Sequence, residues 1–409
     1  MANILIIIPY EFYPPRFGGA LRCFHILNQI AKQHQVILYT VHPFEDFTKE
    51  SIPKLPANIK IVSRQDGKKY RSIFNLLPSR YADAINCRIL QRKLFKPGHL
   101  YLLDSYNLLK YLFSTEKIDF VLYENMQCFE ALYAVIKRFA SHACQIFDAH
   151  NVDSELWKAQ SSIGNNPILL NYSKAALSVE QNLHHYFDLC FCCSEQDKNK
   201  LDILSRKKAN LVVIPNGVDT TEKKFDPESG KNTLCNLLFC GTLDYGPNTE
   251  GLLWFHSKIF PLVKAQLPQV KLTVVGKMHR EGPYEELKSD ASVNFEGFVE
   301  DVAPYYRQSS LLIVPLLKGS GTRLKILEAM SMGNPVVSTA IGAEGIEAKP
   351  GKHYMLADTE EAFARAIVQL LQDSSLFEAM RKEARKLVEK KYDWNSIGLS
   401  IHQAIHQLQ

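Results

Sequence analysis

Short apolar runs alternate with amphipathic helical patterns along the whole chain, and this order restricts the fold more than any other feature. Runs of this length are typical of buried strands, and the segments between them are long enough for crossover helices. The order predicts parallel sheets covered by helices. The strands predicted in the first half are Ile4–Ile8, Val36–Val41, Ile59–Val62, Phe120–Tyr123, Gln145–Phe147, Leu189–Cys192 and Val212–Ile214. The helical patterns include 21–31 and 128–139, and Ser194 has capping-box spacing to Asp197.

The alternation breaks once and then restarts. Pro215–Asp219 has turn chemistry, and the polar segment 223–233 follows it. A chain of 409 residues is also too long for one ordinary core. The strands predicted in the second half are Leu237–Cys240, Lys271–Val275, Val293–Phe295, Leu311–Pro315 and Pro335–Ser338. We therefore expect an α/β protein with two doubly wound, Rossmann-like domains that face a cleft, where ligands bind.

Bulk properties exclude several classes of protein. A formal charge of +5 is far below the density of a nucleic-acid binder. The N-terminus leads directly into a predicted strand without signal-peptide features, and no apolar run approaches the roughly 18 residues that span a bilayer. The nine scattered cysteines suit small buried hydrophobes. The expected location is the cytoplasm.

The segment 319–333 carries the most chemical information. Gly319, Ser320, Gly321 and Thr322 follow a predicted buried strand and lead into a helix that Gly333 ends. The small residues let a ligand approach the backbone, and the amides of a helix start favour an anion.

Charged side chains of the same segment complete a predicted site. Arg323 and Lys325 could bind phosphate, and the carboxylate of Glu328, about a turn deeper, could accept from two ribose hydroxyls. This pattern predicts a nucleotide-diphosphate site. The alternative is a surface helix with a glycine-rich entry and a Lys325–Glu328 ion pair.

Two further candidate sites lie in the first half. Gly18, Gly19 and Arg22 follow the first strand, where a phosphate or sugar could approach the chain, although a plain connecting loop is the alternative. No G-x-G-x-x-G sequence is present there, which argues against a nicotinamide enzyme. His150 follows another strand, where it could bind a sugar hydroxyl or stabilise charge, or serve structure alone.

Residues 64–97 form a basic stretch with interleaved apolar residues. It contains nine Lys and Arg residues against Asp66 and Asp83. Peripheral contact with an anionic membrane face or a lipid-linked acceptor is one interpretation, and a solvated helical face is the other. Metal ligation has little support, because the chain contains no Asp-x-Asp and its histidines have no zinc spacing.

Together these segments resemble retaining GT-B glycosyltransferases of family 4 over nearly the whole chain. The shared pieces are Phe17–Gly19, Ile214–Asp219, Phe239–Leu243, Val274–Gly276, Leu327–Met330, Gly333–Val336 and Gly342–Ile346. The resemblance implies an N-terminal acceptor-side domain at 1–215, a linker at 216–233 and a nucleotide-sugar-binding domain at 234–391. It also implies a helix at 392–409 that crosses back to the first domain.

The resemblance also implies roles for individual residues. Glu328 would bind the ribose, the turn Gly319–Thr322 would face the diphosphate, and His150 would lie near the reacting sugar. This chain departs from the family at Ser320, where a glutamate is common, and after the strand 237–240, where an arginine and a lysine are common. Gly241 and Thr242 stand there instead, so we expect Arg323 and Lys325 to stabilise the diphosphate from the helix side.

The expected reaction is metal-independent sugar transfer, with retention, from a nucleotide-diphosphate sugar to a hydroxyl of a polysaccharide or lipid-linked precursor. No cofactor is expected. Two alternatives share the nucleotide site. A nucleotide-sugar epimerase of the same fold would need no acceptor, and a non-catalytic nucleotide- or sugar-binding protein would bind the donor without turnover.

Overall fold

The computed structural model describes residues 1–10, 12–15, 17–40, 55–63, 102–164, 166–227, 235–278, 282–319 and 321–409. These residues form two compact units. The first contains Met1–Pro215 and Gly398–Gln409, and the second contains Asn216–Ile397.

A seven-stranded parallel sheet forms the centre of the first unit. Its strands are β1 (Asn3–Ile8), β2 (Gln35–Thr40), β3 (Ile59–Ser63), β4 (Phe120–Glu124), β5 (Cys144–Ala149), β6 (Leu189–Cys192) and β7 (Leu211–Val213). They lie in the order β3-β2-β1-β4-β5-β6-β7. The order reverses between β1 and β4, which makes the carboxyl ends of these two strands a topological switch point.

Helices cover this sheet because apolar residues recur on one side of each. The helices described in the first unit are Gly18–Ala31, Leu102–Thr115, Met126–Phe139, Asp153–Gly164, Pro167–Glu180, Leu183–Tyr186 and Glu195–Leu204. The predicted start at Ser194 is confirmed, because its hydroxyl accepts a hydrogen bond from the Asp197 amide at 3.0 Å. The Asp197 carboxylate binds the Ser194 hydroxyl at 2.8 Å.

The second unit contains a six-stranded parallel sheet. Its strands are β8 (Asn236–Cys240), β9 (Lys271–Val275), β10 (Val293–Gly297), β11 (Leu311–Val314), β12 (Val336–Ser338) and β13 (Met355–Leu356). The order is β10-β9-β8-β11-β12-β13, so this sheet reverses between β8 and β11. The described helices of this unit are Gly246–Trp254, Phe255–Ile259, Phe260–Gln266, Glu285–Ser289, Ala303–Arg307, Leu324–Met332, Glu360–Gln372, Ser374–Leu387 and Val388–Tyr392. Two of these, 255–259 and 388–392, are π-helical turns.

Residues 216–227 pack on the second unit. The amide of Val218 donates to the carbonyl oxygen of Tyr392 at 2.8 Å, and Arg385 donates to the carbonyl oxygen of Lys223 at 3.0 Å. The terminal helix Trp394–His406 includes the point where the chain returns to the first unit, at Gly398. No helix among the described residues is long and apolar enough to cross a membrane.

Both predicted sheets are therefore confirmed, and every strand predicted from the sequence is present. Their ends lie within two residues of those expected, and the bounds of β6 and β9 are the predicted ones. The additional strand, β13, has only two residues and was not predicted. The basic stretch 64–97 lies outside the described residues.

Candidate functional site

Polar side chains of the first unit meet at the switch point of its sheet. Tyr10 follows β1, Glu124 is the last residue of β4, Asp148 lies near the end of β5, and His150 follows β5. Parallel strands bring their carboxyl ends to one edge, so residues far apart in sequence become neighbours there. We call these four residues with Arg22 and Cys23 the His150 site.

A buried ion pair supports this site. Arg22 lies on the helix 18–31, where its Nε donates to Asp148 Oδ2 at 2.8 Å and its Nη2 donates to Oδ1 at 2.5 Å. Nη1 donates to the carbonyl oxygen of Ile214 at 2.8 Å. Arg22 is 1% exposed and Asp148 is fully buried. The sequence led us to expect Arg22 to contact the donor, but in the structure Arg22 binds Asp148, which in turn contacts His150.

The imidazole of His150 lies above this pair. Its Nε2 is 3.0 Å from Glu124 Oε2 and 3.2 Å from Asp148 Oδ2, and its Nδ1 is 3.5 Å from the Tyr10 hydroxyl. Only 12% of its side chain is exposed. Burial disfavours the imidazolium, but the hydrogen bonds and charges of Asp148 and Glu124 outweigh burial and raise the pKa of His150 to about 9.

The pKa values of the two carboxyl groups of the site are shifted in opposite directions. Burial and the charge of Asp148 raise the pKa of Glu124, and the contacts with His150 and Arg22 partly oppose this. Burial also acts on Asp148, but the charges of Arg22 and His150 dominate and hold its pKa well below its usual range. Asp148 is therefore ionised throughout the physiological range.

Cys23 adds a thiol to the same cluster. Its Sγ donates to Glu124 Oε2 at 3.2 Å. The ligand atoms of Cys23, Glu124 and His150 all lie within 4.8 Å of one another, close enough to serve as metal ligands. Burial raises the pKa of the Cys23 thiol well above its ordinary value, which opposes the thiolate that a metal would require.

The second unit has its own site at the equivalent point of its sheet. Gly241 follows β8, the loop after β11 contains Gly319 and Gly321, and the helix Leu324–Met332 follows that loop. Gly319 and Gly321 have φ values of +124° and +86°, in the region that favours glycine. We call Gly241, Asn248, Arg323, Lys325 and Glu328 the Lys325 site.

Lys325 lies in the first turn of that helix. Its Nζ is 3.3 Å from Asn248 Oδ1 and 5.1 Å from the centre of the Phe239 ring. Gly241 makes room for the amine, since a Cβ there would lie 2.8 Å from Nζ. Across the described ranges, Lys325 has no carboxylate within ion-pair distance. Burial disfavours its charge and lowers the pKa of Lys325 to about 8.

Arg323 and Glu328 flank Lys325. Arg323 is the N-cap residue of the helix, and its Nη1 donates to the carbonyl oxygen of Gly321 at 2.9 Å. Glu328 Oε2 accepts from the Tyr306 hydroxyl at 3.2 Å. Burial raises the pKa of Glu328, and nearby Lys223 opposes that shift. The expected cations and carboxylate therefore lie on successive turns of one helix.

The other expected site residues are distributed over both units. Gly18 and Gly19 begin the first helix, and a Cβ on Gly19 would lie 2.3 Å from the Tyr10 hydroxyl, so Gly19 lets Tyr10 approach the helix. Thr322 lies directly before Arg323, and its buried Oγ1 has no hydrogen-bond partner within the described part of the chain. Ser320 lies outside the described residues.

Sequence reasoning missed Tyr10, Glu124 and Asn248. Tyr10 follows β1 and Glu124 ends β4 on the edge where ligands bind, and this position was the available signal. Asn248 lies in the first turn of the helix 246–254, where the sequence offers no comparable signal. Asp148 also lies near the carboxyl end of a strand, but no role was predicted for it from the sequence.

Known proteins share this architecture. Residues 18–222 match the family described as Glycosyltransferase Family 4, and residues 235–373 match Glycosyl transferases group 1. An uncharacterized 44.6 kDa protein in the cps region of Klebsiella pneumoniae is 25% identical, with 98% of this chain and 99% of that protein covered.

Solved structures are similar over their full length. Sucrose-phosphate synthase from Thermosynechococcus elongatus has a TM-score of 0.71 at 18% identity, with 100% of this chain and 99% of that chain covered. HepE from Anabaena, in complex with UDP and glucose, has a TM-score of 0.66 at 15% identity, with 99% and 100% covered. At these identities the likeness shows the fold.

The two parallel α/β domains, of seven and six strands, match the GT-B class of glycosyltransferases. Within that class, the chain belongs to glycosyltransferase family 4.

Proposed function

We propose that this glycosyltransferase moves a hexose from a nucleotide-diphosphate sugar to a hydroxyl of a polysaccharide or lipid-linked precursor. The transfer proceeds with retention at the anomeric carbon and without a metal ion. The observation that carries the proposal is the amine of Lys325, which lies at a switch point without a carboxylate partner among the described residues.

A diphosphate supplies the charge that Lys325 lacks. A half-buried ammonium without an anion is costly, and an anionic ligand removes that cost. Arg323 adds a second cation next to the loop of Gly319 and Gly321. The Anabaena HepE structure, with UDP and glucose bound, supports this class of donor. The donor diphosphate would therefore bind at the start of the helix 324–332.

Other residues would hold the remaining parts of the donor. Glu328 offers carboxylate oxygens to the ribose hydroxyls, one turn beyond Lys325. Gly241 and the loop residues Gly319, Ser320, Gly321 and Thr322 would face the diphosphate, and Gly18 and Gly19 are further proposed donor-binding residues. His150 would contact the transferred sugar, with Arg22 acting through Asp148.

The reaction breaks the bond between the anomeric carbon and the diphosphate oxygen, which keeps the electron pair. A new bond forms from the acceptor hydroxyl oxygen on the same face of the sugar. Arg323 and Lys325 stabilise the charge that develops on the diphosphate, which is the task that a divalent ion performs in metal-dependent transferases. A cytoplasmic enzyme with membrane contact through 64–97 would fit a lipid-linked acceptor.

A donor screen tests the proposal. The purified protein is mixed with UDP-, GDP-, ADP- and dTDP-sugars in the presence of EDTA, and thermal shift and nucleotide release are recorded. We expect one donor to stabilise the protein and to release its diphosphate slowly. Stabilisation without release would indicate a binding protein, and no shift with any donor would contradict the proposal.

A matched pair of lysine variants assigns the effect to the proposed site. Lys264 also lies over a phenylalanine ring, with Nζ 5.3 Å from the Phe260 ring centre, but it pairs with Asp290. We expect Lys325→Ala to abolish most of the donor-dependent shift and Lys264→Ala to preserve it. Equal shifts in both variants would remove Lys325 from the donor site.

A further inference from the structure

The proton on His150 Nε2 follows from the groups around it. Nε2 is 3.2 Å from Asp148 Oδ2, and Asp148 is ionised because two hydrogen bonds from Arg22 hold it. An ionised carboxylate only accepts hydrogen bonds. An unprotonated Nε2 would place a lone pair against that oxygen, so Nε2 carries a hydrogen.

The hydrogen on Nε2 also bears on the protonation state of Glu124. Its Oε2 lies 3.0 Å from Nε2, and the Cys23 thiol donates to the same oxygen at 3.2 Å. Both contacts of Oε2 are donors, which suits an ionised Glu124, since an ionised carboxylate only accepts hydrogen bonds. Its Oε1 is fully buried and without a hydrogen-bond partner in the described parts of the chain.

The charges of the cluster then determine whether the second ring nitrogen of His150, Nδ1, is also protonated. Arg22 contributes one positive charge, and Asp148 and Glu124 contribute two negative charges. With both carboxylates ionised, the buried cluster is neutral only when His150 is protonated at both nitrogens, and the two carboxylate oxygens within 3.2 Å of Nε2 favour that cation. Uncompensated buried charge is strongly unfavourable, so the imidazolium is the favoured form.

We propose that Glu124 is a positioning residue that, together with Asp148, keeps His150 as an imidazolium. His150 then presents a cation and its Nδ1–H, and it cannot serve as a base. This inference rests on the proposed function for its consequence: the proton of the acceptor hydroxyl passes to the departing diphosphate oxygen, the base that the reaction itself supplies. Nδ1, 3.5 Å from the Tyr10 hydroxyl, is the nitrogen left to contact the sugar.

Other titratable groups around His150 agree with this state. Tyr10 and Cys23 are neutral, because burial raises the pKa of each. The Cys193 thiol donates to the His150 carbonyl oxygen at 3.3 Å, and burial raises its pKa to about 12. Asp153 begins the helix that follows His150, and burial together with Glu180 raises the pKa of Asp153 to about 7. When Asp153 ionises, its charge favours the imidazolium further.

Nuclear magnetic resonance of the free protein with ¹⁵N-labelled histidine tests the inference without reference to activity. The His150 signals are assigned by their loss in His150→Gln. We expect both ring nitrogens to stay protonated through pH 8 in the wild type. Glu124→Gln should lower the pH of half-deprotonation by at least about one unit, since it removes one of two adjacent charges.

Two further variants keep the test decisive. Glu155→Gln changes an exposed carboxyl on the helix after His150 and should leave the titration unchanged. If Glu124→Gln does not fold, Glu124→Asp keeps the charge at a greater distance and should lower the titration by less than one unit. A wild-type His150 that titrates near its ordinary value of about 6.5 would overturn the proposal.

Transfer kinetics then test the consequence. We expect kcat/KM to stay level up to about pH 9 in the wild type, to decline at lower pH in Glu124→Gln, and to recover in Glu124→Asp. A rise in activity as His150 loses its proton would show that His150 is a base and would overturn the inference. The expected resonance titration without transfer from any donor would refute the proposed function while the protonation state stands.

Discussion

His150 and Lys325 are the central cations of the two sites, and they differ in what surrounds them. His150 lies against two buried carboxylates, which raise its pKa to about 9. Lys325 lies beside an amide oxygen and an aromatic ring, and its pKa falls to about 8. The protein therefore compensates one cation itself, and we infer that it leaves the other for a ligand.

This difference has consequences for stability. A compensated cation is part of the folded structure, so the loss of its supporting groups destabilises the protein. An uncompensated cation costs folding free energy, which is the usual trade between stability and function at binding sites. Variants at the two sites should therefore change stability in opposite directions.

The largest expected effect follows from the pair beneath His150. Arg22→Ala leaves Asp148 buried without its partner, which typically costs about 3–5 kcal/mol of unfolding free energy. Chemical denaturation measures the change. Arg138→Ala, on an exposed helical surface of the same unit, should change stability by less than about 0.5 kcal/mol. Similar values for both variants would mean that the Arg22–Asp148 pair contributes nothing to stability.

Lys325→Met should have the opposite effect on the second unit. Removing a half-buried ammonium that has no carboxylate partner among the described residues is expected to leave the unfolding free energy unchanged or to raise it by about 1–2 kcal/mol. Donor affinity should fall by about tenfold to a hundredfold, the value of one charge-assisted hydrogen bond. Denaturation and donor titration measure the two changes. A stability loss as large as that of Arg22→Ala would show that the two cations do not differ in their contribution to stability.

The pH dependence of stability should also differ in sign. The pKa of His150 is raised, so its contribution is complete below about pH 6.5 and is lost as pH rises towards 9. The pKa of Lys325 is lowered, so its cost is complete below pH 8 and disappears as pH rises towards 10.5. Between about pH 6.5 and 9, wild type should lose stability relative to His150→Gln by up to about 1.4 kcal/mol per pH unit.

Between about pH 8 and 10.5, wild type should gain stability relative to Lys325→Met. Denaturation at a series of pH values measures both differences. Equal slopes for the two pairs of proteins would show that the cations are held in the same way.

The smallest expected effect concerns Gly241. A methyl group there would lie 2.8 Å from Lys325 Nζ and 2.7 Å from Asn248 Nδ2, which are both ends of movable side chains. Gly241→Ala should therefore cost less than about 1 kcal/mol of stability while it displaces the amine and weakens donor binding several-fold. Gly246→Ala, where no atom lies within 4 Å, is the control. Unchanged donor affinity in Gly241→Ala would mean that the amine has no fixed place.

The fold was predictable because it depends on local pattern. Buried strands such as β1 and β4 are continuous apolar runs, and their alternation with helices determines the parallel sheets. Strand β13 was not predictable, because two residues carry no periodicity. The helix start at Leu324 depends on the backbone of Gly319 and Gly321, whose φ values no sequence pattern specifies.

The sites were predictable only in part. Glycine and lysine spacing indicated the Lys325 site, because its residues are contiguous in sequence. The His150 site combines residues at or just after the ends of β1, β4 and β5 with residues of the first helix, and their contacts arise only from the order of the strands. Glu124 therefore looked like an ordinary strand end, although it lies 3.0 Å from His150.

The central claim is that the ammonium group of Lys325 binds the diphosphate of a donor. Calorimetric titration with the nucleoside diphosphate that gives the largest thermal shift, in EDTA, tests it most directly when wild type and Lys325→Met are compared from pH 7 to 9.5. We predict that wild-type affinity falls by up to about tenfold per pH unit above 8 and that the variant binds weakly at every pH. Equal affinity in the two proteins, with no pH dependence in either, would contradict the account.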